Sequence, residues 1–132
     1  MSEQRHTARC MCGAIILEAT GKPEYVEYCH CKTCQQSSGS SYIPWIIFKK
    51  EKVRIISGKL NIYKSSEELQ RGNCGNCGST MTIHSAKNFD IALGVMDSPD
   101  AFDIDQHIWT ARALKHVYLD DDLPKYDKNA PN

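Results

Sequence analysis

The sequence predicts an all-β fold, mainly strands with short helical turns, and three observations carry that expectation. Val, Ile, Tyr and Thr concentrate in blocks of five to seven residues, the residue types that suit a pleated, half-buried surface. Gly, Pro, Asn and Ser bound those blocks, as turn residues bound strands. Seven cysteines fall one or two residues apart in clusters, spacings that organise turns around a metal.

Taken in order, strands are expected at residues 14–19, 25–29, 42–48, 52–57, 60–64, 80–84, 89–95 and 107–111. Pro44 places its strand at an edge or a bulge, because proline cannot donate to a ladder. Ser57-Gly58-Lys59 is expected to form a hairpin turn between the fourth and fifth blocks. Helical turns are expected at 32–38 and at 66–70. The tail 120–132 is acidic and contains Pro124 and Pro131, which predicts an extended surface segment with little regular structure. A chain of 132 residues has the length of one domain, expected to span 1–132 with its core over about 9–127.

Sixteen basic residues balance sixteen acidic ones, with no long run of either sign. The electrostatic footprint of a nucleic-acid or membrane-surface binder is therefore absent, and small molecules or proteins are the expected partners. The longest apolar run, 43–48, is interrupted by Pro44 and far too short to cross a bilayer. The first nine residues are polar and mixed in charge, unlike a secretory signal. These features predict a soluble, unprocessed, cytoplasmic protein.

An odd number of cysteines cannot pair fully into disulfides within one chain. A secreted disulfide framework lacks a signal sequence to support it, and a Cys31-x-x-Cys34 redox pair lacks the βαβ context of such motifs. Metal ligation accounts for the pattern better. Cys10-Met11-Cys12-Gly13 and Cys74-Gly75-Asn76-Cys77-Gly78 are both closed by a glycine, which takes positive φ and lets backbone N–H groups approach the sulfurs. Both resemble zinc knuckles. Their four thiolates close a tetrahedral site and leave no place for substrate.

Cys29, Cys31 and Cys34 supply three thiolates. An extended chain through Cys31 projects Cys29 and Cys31 to one side and His30 to the other, so His30 is not the expected fourth ligand. Three protein ligands leave a position for water or a substrate atom. A zinc dication held by three monoanionic thiolates keeps one net negative charge and is a weak activator of water. A substrate thiol suits it better, being far more acidic than water, and the resulting thiolate can attack a small aldehyde to make a carbon–sulfur bond.

The segments Cys10 to Ala14, Cys29 to Cys34 with Ser37-Ser38-Gly39, Ser57-Gly58, Cys74 to Gly78 and His107-Ile108-Trp109 together resemble the glutathione-dependent formaldehyde-activating enzyme family, which includes centromere protein V. The resemblance runs over about 9–127. It implies a Mss-four-like zinc-bearing β-sheet domain, shared with a Rab exchange factor. It also implies a structural zinc on Cys10, Cys12, Cys74 and Cys77 and a catalytic zinc on Cys29, Cys31 and Cys34. The reaction implied is condensation of glutathione with formaldehyde to S-(hydroxymethyl)glutathione, a carbon–sulfur lyase activity with glutathione as co-substrate. The chain departs from the family pattern at Asn73, where an aromatic residue is common, and at Lys115-His116, where a tryptophan is.

His107, in the family-like segment, is the candidate proton shuttle, and His30 a candidate for hydrogen bonding behind the ligands. His6, His84 and His116 are expected at the surface or the core edge. Ser38 and Gly39 are candidates to aim backbone N–H groups at an anionic ligand, or simply a turn. Arg71 and Lys32 are cations able to attract a glutathione carboxylate. Tyr42, Trp45 and Phe48 read as core packing more than as a ligand wall, and Asp97 as a turn cap. The rival to an enzyme is a zinc-stabilised protein-binding module whose metals are both architectural.

Overall fold

Residues 3–131 are described by a computed structural model. In chain order the elements are β1 (Arg5–Arg9), β2 (Ile16–Thr20), β3 (Tyr25–Cys29), α1 (Lys32–Ser38), β4 (Ile43–Lys49), β5 (Val53–Ser57), β6 (Asn61–Lys64), β7 (Gln70–Asn73), β8 (Thr80–His84), β9 (Asn88–Ala92) and β10 (Gln106–Ile108), with short 3-10 turns between some of them. Three strands form one sheet, in the order β1-β2-β5, and seven form another, β10-β3-β4-β9-β8-β7-β6. Among the described strands, β10 and β3 alone pair in parallel. The mainly β architecture with short helices agrees with the Mss-four-like fold that the resemblance implies.

The run Ile43-Pro-Trp-Ile-Ile-Phe48 explains the layering, since a strand apolar at successive positions must bury both faces. Ile46 and Phe48 point toward the small sheet, where Ala8, Leu17, Ala19, Val26 and Ile91 complete one cluster. Trp45 and Ile47 point the other way, into a second cluster with Ile83, Ala92 and Ile108. Cys10 and Cys74 belong to the first cluster, Cys29 and Cys34 to the second. The two cysteine groups therefore lie on opposite faces of the large sheet.

Three expectations are corrected and a fourth is refined. Pro44 does not mark an edge, because β4 lies between β3 and β9. It is tolerated because it pairs with Tyr28 of β3, whereas the ladder to β9 starts one residue later, at Trp45 and Ala92. Ser57-Gly58-Lys59 is no hairpin, since β5 and β6 belong to different sheets. Gly58 carries the chain across at φ +80°, where a Cβ would stand 2.3 Å from the Ala14 carbonyl oxygen, a conformation and an approach open only to glycine. Residues 65–69 form the loop of the β6–β7 hairpin instead of a helical turn, closed by Ser65 N–H on the Leu69 carbonyl at 3.0 Å and by Leu69 N–H on Ser66 Oγ at 3.1 Å. The tail is extended as expected, yet its residues 124–128 dock along β10 through His107 N–H to Pro124 O, Tyr126 N–H to His107 O and Trp109 N–H to Lys128 O.

Two strands were not expected at all. β1 is polar and buries only Ala8 fully, and β7 reads Gln-Arg-Gly-Asn. Both exist because a neighbour supplies the ladder. Among the described residues, no helix is long and apolar enough to cross a membrane.

Candidate functional site

All seven cysteines are unbridged, and their sulfurs form two groups, each with ligand atoms within 4.8 Å of one another. The first is Cys10, Cys12, Cys74 and Cys77. The Cys10 and Cys12 sulfurs are 3.7 Å apart, and those of Cys12 and Cys74 3.8 Å. Zinc bonded to sulfur at about 2.3 Å in a tetrahedron separates its sulfurs by about 3.8 Å, so the geometry fits that ion.

The turns themselves create this arrangement. Cys10 N–H bonds to Ile15 O at 3.2 Å and Cys74 N–H to Ser79 O at 3.0 Å, the same span in both knuckles. Gly13 and Gly78 close them at φ 79° and 80°. Ile15 N–H then donates to Cys10 Sγ at 3.2 Å, and Cys77 N–H to Cys74 Sγ at 3.4 Å. Asn76 Nδ2 adds a bond to Cys12 Sγ at 3.2 Å. Such donors favour thiolate over thiol and orient it; hydrogen bonds from Ser79 and Cys12 push Cys77 down to about 5.

The second group begins at the end of β3. Cys29 is the last strand residue, and Cys31 is the extended N-cap of α1, whose Sγ accepts the Cys34 N–H at 3.3 Å. That cap turns the chain so that Cys34, one turn into the helix, faces Cys29. Hydrogen bonds with Cys29 and then Cys34 push Cys31 down to about 2, while Cys31, Cys34 and then burial push Cys29 far up. Three soft sulfur ligands, deprotonated on binding the metal, suit zinc, with one position left for another ligand.

Cys34 Sγ draws its other contacts from distant strands. Trp45 Nε1–H donates to it at 3.4 Å, and both Arg71 Nη groups approach to 3.7 Å. Arg71 Nη1 also donates to Ser37 Oγ at 3.1 Å. Beside them opens a cavity of about 220 Å³ that Ser37, Trp45, Tyr63, Arg71, Asn73 and Thr80 help to line. Asp90 faces the same side of the sheet, in register with Ile83 and through it with Arg71. Burial, and then Glu27, push the Asp90 carboxyl up to about 8, and its Oδ1 has no hydrogen-bond partner.

His107 pairs with Tyr28 and Ile108 with Cys29, so alternation puts His107 on the sheet face opposite the Cys29 sulfur. It does not line the cavity beside Cys34. Its Nε2 lies 2.8 Å from Asp121 Oδ2 and its Nδ1 2.9 Å from His30 Nε2. The carboxylate requires a proton on His107 Nε2, which makes Nδ1 the acceptor and His30 Nε2 the donor. Both rings are buried, stacked with centroids 5.2 Å apart, and flanked by Tyr28 and Tyr42. His107, and then Lys125, hold Asp121 well below the usual carboxylate range.

Gly39 does not present its N–H to a ligand, because it ends α1 at φ 68° and donates to Gln35 O at 2.8 Å. Ser38 Oγ likewise turns inward, to Cys34 O at 2.7 Å. Asp97 does more than cap a turn: it accepts Thr7 Oγ1 and two Arg9 nitrogens, tying β1 to the 3-10 segment after β9. His6 packs on Phe102, His84 stacks on Phe89 and His116 meets Ser41, the edge positions expected. Asp121 was missed as a partner of the site, since nothing in its own segment signals it, while Trp45, read as core packing more than as a ligand wall, both packs in the second cluster and lines the cavity.

Comparison with known proteins places this arrangement. A relative from Schizosaccharomyces pombe, named an uncharacterized lyase, is 28% identical over 118 residues, covering 74% of this chain and 84% of that protein. A Rhodobacter sphaeroides protein solved by a structural-genomics programme shares the fold, with a TM-score of 0.58 at 14% identity over 91% of this chain and 98% of its own. Residues 5–112 match the family described as glutathione-dependent formaldehyde-activating enzyme. That span holds all seven cysteines, and both clusters it implies are formed, so the chain belongs to the glutathione-dependent formaldehyde-activating enzyme family.

Proposed function

We propose that the chain joins a thiol such as glutathione to a small aldehyde such as formaldehyde at Cys29, Cys31 and Cys34, as a zinc-dependent carbon–sulfur lyase or synthase. The observation that carries this reading is the convergence of three sulfurs into a set apart from the closed four-sulfur clamp, with a cavity beside Cys34. Family membership and the name of the S. pombe relative lend it support.

Zinc in the three-cysteine site would supply a Lewis-acidic position at which a substrate thiol ionises. The chain's own residues set that position. The Trp45 indole and the Arg71 guanidinium fix Cys34 and draw negative charge from its sulfur, and the α1 backbone does the same for Cys31. In the forward direction the substrate sulfur forms a bond to the carbonyl carbon, the π pair moves to oxygen, and that oxygen takes the proton the thiol released. The step balances without oxidant or reductant. His107 acts at one remove in this reading: through His30 Nε2 it fixes the ring between Cys29 and Cys31, and it is a positioning residue.

Cobalt-substituted protein should bind about two metal ions and show thiolate-to-metal charge-transfer bands that change on titration with glutathione. Cys31→Ser should remain folded and lose that response. A two-metal protein whose bands ignore glutathione and simple thiols overturns the reading and favours a zinc-stabilised binding module.

A further inference from the structure

We propose that the cavity beside Cys34 is a carboxylate subsite, in which Arg71 selects a thiol that bears a carboxylate over a neutral one. The inference rests on the thiol reading above and adds the residue that sets specificity. Arg71 stands in the second last strand of the large sheet, β7, directly across from Ile83. Its guanidinium therefore reaches the sulfur group and the cavity at once. A guanidinium carries five N–H donors in a fixed fork, matched to a carboxylate. Here the two Nη groups reach Cys34 and Ser37, while the buried Nε has no hydrogen-bond partner.

Charge supports the same assignment. Arg71 is the one ionised side chain among the residues lining this cavity. Asp90, whose titration Arg71 influences, is mostly the neutral acid at pH 7 because burial and Glu27 push it up. The guanidinium therefore has no ionised carboxylate of the chain's own at this cavity. Three thiolates around a zinc dication carry one net negative charge, which opposes an anionic ligand. Arg71, 3.7 Å from Cys34 Sγ, offsets that repulsion on the side of the site nearest the cavity.

Size limits what enters. A space of about 220 Å³ equals the share of about seven waters at ~30 Å³ each, enough for a carboxylate on a short carbon arm. The hydroxyls of Ser37 and Thr80 and the amide of Asn73 provide further polar partners on the wall, and the Trp45 ring covers the arm's apolar atoms.

The test compares 3-mercaptopropionate with its neutral amide on the cobalt-substituted protein, read from the charge-transfer bands. The acid should bind at least tenfold more tightly than the amide. Arg71→Gln should bring the ratio close to one, and Arg71→Lys should restore part of it; the ratio cancels any general weakening of the metal site. In parallel, propionate, which has no sulfur, should shift the Trp45 indole N–H resonance of the zinc protein saturably, and not in Arg71→Gln. Equal affinities for acid and amide in the wild type, or a ratio unchanged by Arg71→Gln, overturn the subsite and leave the thiol reading standing. A propionate shift that depends on Arg71, with no response to any thiol, supports the anion site and overturns the thiol chemistry. Silence from both probes overturns both.

Discussion

The four-cysteine and three-cysteine groups share a sheet and little else. Cys10 and Cys74 sit on the face covered by the small sheet, and their sulfurs receive backbone N–H groups from their own knuckles. Cys29 and Cys34 sit on the other face, and Cys34 is held by Trp45 of β4 and Arg71 of β7. One site is built from two local turns brought together. The other has a local frame, Cys31 capping α1, and a tuning shell assembled from strands 11 and 37 residues away. A clamp needs only closure, which turn geometry provides, whereas an open site needs charge and shape at its mouth, which only distant side chains provide.

The contrast is broken most severely by removing one ligand from each group. Cys74→Ser should abolish the cooperative fold at 25 °C, because structural zinc binding is worth about 10–16 kcal/mol in small peptides, as much as the whole stability of a typical domain, about 5–15 kcal/mol. Cys31→Ser should keep a dispersed amide spectrum with one metal lost, since serine also caps helices well. Amide spectra and metal analysis of the two variants decide it. A folded Cys74→Ser, or an unfolded Cys31→Ser, erases the distinction.

His107→Ala should have an intermediate effect. It strips a bonding partner from buried His30, while exposed Asp121 turns to water, and an unsatisfied buried group costs about 1–3 kcal/mol. Urea unfolding should register a loss of that order while the four-cysteine metal stays bound. A change under ~0.5 kcal/mol would mean that the paired rings do not support the fold around the open site.

The smallest effect concerns the strand that leads into Cys10. Hydrogen bonds from Arg9 and Thr7 hold Asp97 below the usual carboxylate range. A depressed folded pKa means the contribution is complete above the unfolded value, about 3.9, and disappears as pH falls through the folded one. The Arg9 side chain is 50% exposed, so screening limits the pair to about 0.2–1 kcal/mol. Asp97→Asn should lose that amount at pH 7 in low salt and little in about 1 M salt, where exposed pairs are screened, by urea titration at the two ionic strengths. An equal loss at both would mean that the ionised form is not what stabilises β1.

Legibility followed locality. The knuckles and the short helix 32–38 were readable because cysteine spacing and a closing glycine act within a few residues, whereas the cap at Cys31 appeared only in the structure. β3, β6 and β8 were readable from β-branched and aromatic blocks, and β4 as a strand for the same reason. β1 and β7 were not, because Arg-His-Thr-Ala-Arg and Gln-Arg-Gly-Asn have no strand pattern of their own and take it from their partners. Pro44 was misplaced because a proline shows that one N–H is missing without telling whether a neighbour needs it at that register.

The sequence alone determined the chemistry on offer: seven thiolates split four and three, and a strand apolar enough to require cover on both sides. Those are properties of composition and short-range spacing, which every conformation of the chain retains. Tertiary structure decided which thiolate meets a guanidinium, which face His107 turns to, and where Gly58 passes from one sheet to the other. Each of these depends on ladder register and sheet order, where a shift of one residue exchanges the faces of every side chain.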